Sequence, residues 1–86
     1  MASIQEVVNA AYLIGKSAKE ATARSVVCAD SLKSHSSQLA ATVKGSHSGE
    51  YAVRQVQQAE RAVRDSAVRL TTLQSTINTF IQDLIK

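Results

Sequence analysis

The chain has no proline, no tryptophan and one cysteine, and its aromatic content is 3%. With a single thiol, Cys28, neither an intrachain disulfide nor a zinc site built on a Cys cluster can form. Tyr12, Tyr51 and Phe80 are the only aromatics, so little is present to stack on nucleobases or cage a cofactor. A core must come from Val, Leu, Ile and Ala. No apolar run approaches the roughly 18 residues that span a bilayer, so no membrane span is expected. No basic segment leads into an apolar stretch at the start, as a secretory signal would. The expected location is the cytosol, with export by a route that reads no N-terminal signal left open.

Charge of one sign is also scarce. Ten basic and seven acidic residues leave a net charge of +3. The bases are interleaved with acids four positions earlier: Glu20 with Arg24, Glu50 with Arg54, Glu60 with Arg64 and Asp65 with Arg69. On a helix each acid faces its base in the favourable order. A nucleic-acid surface concentrates bases on one stripe without intervening acids, so such a partner is disfavoured.

Catalytic motifs are absent. There is no Gly-rich phosphate loop, no G-x-S-x-G and no H-E-x-x-H. Gly45 and Gly49 enclose Ser-His-Ser, but a nucleophile elbow needs a preceding strand, and none is expected. His35 has no His or carboxylate one turn away on its face, so it lacks the companions of a metal ligand. Cys28 and His35 are two turns apart, about 10 Å along one helix, too far to act as a pair. Both fall on the apolar stripe described next, where Cys28 is expected as a small buried hydrophobe and His35 as a partly buried histidine bonded to a neighbouring hydroxyl. No enzyme activity, cofactor, metal or small-molecule substrate is expected.

What the chain does have is two long helical stretches and one break. Lys44-Gly45-Ser46-His47-Ser48-Gly49-Glu50 is the one strong breaker segment. Gly45 suits the left-handed position after a helix, Lys44 suits a helix C-terminus, and Ser46 or Ser48 can cap the next helix. Ser3-Ile4-Gln5-Glu6 has the form of a capping box. Helices are therefore expected over about 3–44 and 48–85 with a turn at about 45–48. A 3-4 spacing picks out Ile4, Val7, Ala11, Ile14, Ala18, Ala21, Ser25, Cys28, Leu32, His35, Leu39 and Thr42 in the first. It picks out Val56, Ala59, Val63, Ser66, Leu70, Leu73, Ile77, Phe80 and Leu84 in the second. Such a seven-residue period is a coiled-coil seam, and the short link folds the helices back antiparallel. Gly15 within the first helix is open to three readings: a tolerated weak spot, a close crossing of another backbone, or a break.

The fold class expected is an all-α, antiparallel two-helix hairpin. Val8, Tyr12, Val26, Val27 and Ala40 on one helix and Ala52, Ala67, Ile81 and Ile85 on the other flank the seam, and one facing helix cannot cover so wide a stripe. The hairpin is therefore expected to complete a four-helix bundle with another helical protein or a second copy. The open end, where Ile4, Val7 and Val8 oppose Ile77, Phe80, Ile81 and Leu84, is expected to be the best-packed region and the docking surface.

The length of under 100 residues, the two helices, the Met-Ala-Ser start and the turn Gly45-Ser46-His47-Ser48-Gly49-Glu50 resemble the small Trp-x-Gly hairpin proteins of type VII secretion. They also resemble the small helical proteins encoded beside the toxins of those systems. The resemblance spans nearly the whole chain in architecture. The turn Trp is missing, and Phe80 is followed by an acid, Asp83, three residues later rather than the four of the family's export signal. The resemblance implies a secretion-linked adaptor that pairs with a sister hairpin or a toxin's helical domain. The alternatives are a self-associating assembly protein unrelated to secretion and a small nucleic-acid-binding regulator.

Overall fold

A computed structural model describes residues 2–86. Helix α1 spans Ile4–Thr42 and helix α2 spans His47–Ile85, and the two run antiparallel as an all-α hairpin. The N-terminus of α1 is held by Ser3, whose Oγ accepts the Glu6 backbone N–H at 3.1 Å. Ser46 caps α2 in the same way, accepting the Gly49 N–H at 3.2 Å. These side chains satisfy amide donors that the first helical turn leaves without a partner. Gly45 has φ 87°, as the position after a helix C-terminus often demands. Helix α1 ends slightly earlier than the sequence suggests, which places Lys44 in the turn.

The turn also sets the rotation of the two helices about their own axes. Gly49 lies so close to Val43 that a Cβ there would fall 2.4 Å from the Val43 Cβ. Val43 and Gly49 are thus pinned at the closed end of the interface. Counting back from Val43 in steps of four and three gives Leu39, Ser36, Leu32, Ala29, Ser25, Thr22, Ala18, Gly15, Ala11 and Val8. All of these are buried or half-buried, and Val7 and Ala21 are the other half-buried positions of α1. Counting forward from Gly49 gives Val53, Val56, Glu60, Val63, Ala67, Leu70, Gln74, Ile77, Ile81 and Leu84, which are likewise buried or half-buried.

Half of the expected seam is therefore in place and half is displaced by one residue. Ala11, Ala18, Ser25, Leu32 and Leu39 lie in the interface as expected, as do Val56, Val63, Leu70, Ile77 and Leu84. Alongside them, Gly15, Ala29 and Ser36 take the places expected for Ile14, Cys28 and His35, while Ala67, Gln74 and Ile81 take those expected for Ser66, Leu73 and Phe80. Cys28 and His35 are exposed, not buried. The physical reason is size. On α1 the row Gly15, Thr22, Ala29 and Ser36 lets the helices approach, where a row containing Ile14 and His35 would hold them apart.

Gly15 does not break α1, which continues through it. A Cβ there would sit 3.3 Å from Ile77 Cγ2, so the glycine admits the Ile77 side chain. Two polar members of the interface, Gln74 and Thr22, are bonded across it. Gln74 Nε2 donates to Thr22 Oγ1 at 2.9 Å, and that hydroxyl donates to the Ala18 carbonyl at 2.8 Å. No buried side-chain nitrogen or oxygen among the described residues lacks a partner.

This register predicts opposite responses at neighbouring positions. Ala29 is 0% exposed, so Ala29→Leu overpacks the interface and costs about 1–3 kcal/mol. Cys28→Leu points away from α2 and leaves the thermal midpoint within a few degrees of wild type. A second substitution tests the turn: Gly49→Ala drives a methyl into Val43, and thermal denaturation should show a loss at least as large as that of Ala29→Leu.

Candidate interaction surface

The displaced row is the most informative feature of the surface. Ile14, Leu73 and Phe80, placed by their hydrophobicity in the interface, are 51%, 39% and 44% exposed. They share one side of the hairpin. Val7, Ala10, Ile14, Ile77 and Phe80 line one stretch of groove between the helices there. Ile14, Ala21, Leu70 and Leu73 line the adjoining stretch. Together these form an apolar trough from the open end to about the middle of the hairpin, roughly four helical turns or about 20 Å long. Toward the turn the same rows continue as Cys28, His35, Ser66, Ala59 and Ala52, which are small or polar.

The opposite side differs in character. Its groove is lined by Tyr12, Lys16, Lys19, Glu20, Gln74 and Asn78 along with Ile77 and Ile81. Further along that side, Arg64 of α2 donates from Nε to Glu60 Oε2 at 2.7 Å and from Nη2 to Asp30 Oδ1 of α1 at 3.0 Å. The two carboxylates, Glu60 first, push the Arg64 pKa above its already high ordinary value, so the guanidinium stays charged. Of the four ion pairs expected from spacing, Glu60–Arg64 forms. Arg54 instead lies over the Tyr51 ring, 5.9 Å from its centroid.

The residues expected to dock a partner divide between two environments. Val8, Ile77, Ile81 and Leu84 are half-buried between α1 and α2, so they hold the hairpin shut. Val7 and Phe80 line the trough, and Ile4 is exposed at its end. The open end is not the best-packed region, contrary to expectation. Its large side chains Ile4, Phe80 and Ile85 remain largely exposed, and the most buried residues, Ala29, Ala11, Ser36 and Ala18, are spread along α1 and are not gathered at that end. Leu73, Ile14 and Ala21, which the 3-4 spacing places in the helix-helix seam, line the trough. The signal that distinguishes the two assignments is the alternation of Gly15, Ala18, Thr22 and Ala29, which marks the face of closest approach.

Cys28 and His35 stand apart on one exposed row, and no cluster of metal-ligating side chains occurs among the described residues. No described helix is long and apolar enough to cross a membrane. Comparison with protein-family models, curated proteins and solved structures gives no match.

If the trough is surface rather than core, polar substitution in it spares the hairpin. Leu73→Ser should change the thermal midpoint of the dilute chain far less than Leu70→Ser, one turn away on the interface side. Circular dichroism melts at the lowest workable concentration make the comparison, and equal losses would place Leu73 in the core.

Proposed function

We propose that this chain is a non-enzymatic helical interaction module. Its trough takes the helices of another helical protein or a second copy and so completes a four-helix bundle. The observation that supports this reading is the amount and kind of surface left exposed. The chain exposes 6400 Å², whereas a compact monomer of its mass exposes roughly 4900 Å². Its radius of gyration is 19.1 Å, against about 12 Å for a compact domain of this length. Among the described residues no large side chain is fully buried, and the apolar side chains left outside are gathered into a trough. A two-helix hairpin with so little core is marginal alone, and a partner supplies the missing burial.

The narrower form of this reading is the secretion-linked adaptor that the hairpin architecture and the Gly45–Glu50 turn resemble. Its support is architectural, and export of the tagged chain by a host carrying such a system is the test specific to it. A nucleic-acid role receives less support, because Lys16, Lys19 and Arg64 share their side with Glu20, Glu60 and Asp30, and Arg64 is bonded to the last two.

Sedimentation equilibrium at micromolar concentration tests the general reading. The expected result is a mass above the 9.2 kDa of one chain. A stable, fully helical monomer across the micromolar range would contradict it.

A further inference from the structure

The rim of the trough carries charge in a pattern that is its own complement. Glu6 lines the mouth at the open end. Asp83 lies one turn beyond Phe80 on α2, near the same level. At the inner end, Arg24 follows Ala21 by one turn on α1, and Arg69 precedes Leu73 by one turn on α2. The cross-helix contacts Thr22–Gln74 and Asp30–Arg64 bracket these arginines and set them level with each other. All four residues are exposed. Among the described residues Arg24 and Arg69 make no ion pair, and Asp83 meets only the exposed Lys86, at 3.4 Å. The apolar trough thus has two acids at one end and two unmatched bases at the other.

We infer that the occupant of the trough is a second copy of this chain, turned end for end and staggered so that only the open halves overlap. This rests on the docking reading above and names its partner and register. A two-fold axis crossing the trough near Ile14 brings Glu6 over Arg24 of the second copy and Asp83 over Arg69 of the second copy, each contact occurring twice, as an isologous interface requires. The same axis sets Phe80 against Leu73 of the second copy and Ile14 against its own equivalent.

Other self-pairings conflict with the charges. Copies laid with the same ends together put acid over acid and arginine over arginine. Copies overlapped along their full length end for end bring Arg24 onto Arg24. Like charges juxtaposed across an interface select against such partners. The staggered pairing also accounts for where the large side chains stop. The overlap covers about half of the 62 Å hairpin, and beyond it the outer rows are Cys28, His35, Ala52 and Ala59, which tolerate water. The excess exposed area, roughly 1500 Å² for one chain, is of the size that a permanent dimer buries per subunit.

The test is charge exchange read by sedimentation equilibrium, with helicity checked by circular dichroism. Arg69→Glu and Asp83→Arg should each weaken self-association about tenfold or more, and the double variant should return to within about threefold of wild type. The Arg24→Glu and Glu6→Arg pair repeats the experiment at the other corner, which guards against the N-terminal role of Glu6. Spin labels in a Cys28→Ser background give the register. Labels at Ser17 should lie close across the dimer, and labels at Ser48 in the turns should be about 90 Å apart. Association that ignores all four charge changes, a double variant no better than its singles, or a short Ser48 distance would overturn the staggered pairing while leaving the docking reading intact. A monomeric wild type would remove both.

Discussion

Everything in this molecule depends on how closely two long helices approach. The face that α1 presents is rich in small residues, Gly15, Ala18 and Ala29 among them, and α2 meets it with Ala67 alongside the larger Val63, Leu70 and Ile77. Close approach gives many weak dispersion contacts per turn and needs no aromatic or long side chain to fill a gap. It also explains why a chain with a single phenylalanine and no tryptophan folds as a hairpin. The consequence is a narrow interface that leaves Ile14, Leu73 and Phe80 outside it. The hairpin therefore has hydrophobic surface to spare, and that surplus is the support for the interaction role proposed above.

Much of the architecture was legible in the sequence. The capping serines, the glycine at positive φ and the seven-residue period give two helices and their antiparallel return. The row shared by both registers, with Ala18 and Leu32 on one helix and Leu70 and Ile77 on the other, was legible for the same reason. The second row was not. Choosing the most hydrophobic neighbour at each step selects Ile14, Leu73 and Phe80, whereas the helices use Gly15, Gln74 and Ile81. Hydrophobicity ranks residues by their transfer from water, but the rotation of a helix in a hairpin is set by the turn and by steric fit. Here the contact between Val43 and Gly49 sets it, and no periodicity count contains that contact.

The candidate site was legible in its residue types more than in its grouping. Val7 and Phe80 were singled out from the sequence and do line the trough. Their expected companions Val8, Ile81 and Leu84 turn inward, because a one-residue step along a helix rotates a side chain by about 100°. The electrostatics divide in a similar way. Arg64 is drawn between Glu60 on its own helix and Asp30 on the other, which ties the two helices on the side away from the trough. Such an exposed pair adds little stability, and beside the trough Glu6, Arg24 and Arg69 make no ion pair among the described residues while Asp83 meets Lys86. The two sides are thereby specialised, one polar and internally bonded, the other apolar and unmatched.

The central claim is that the small-residue row, and not the large apolar one, faces the second helix. Thiol labelling measures this most directly, because Cys28 and Ala29 are consecutive residues on opposite sides of that boundary. In the native protein Cys28 should react with an aqueous thiol reagent nearly as fast as in denaturant, including in a staggered dimer, whose overlap ends before it. In a Cys28→Ser background, the Ala29→Cys thiol should be strongly protected until the chain unfolds. A protected Cys28 together with a reactive thiol at position 29 would contradict the account, since it would place the apolar row inside and leave no trough to fill.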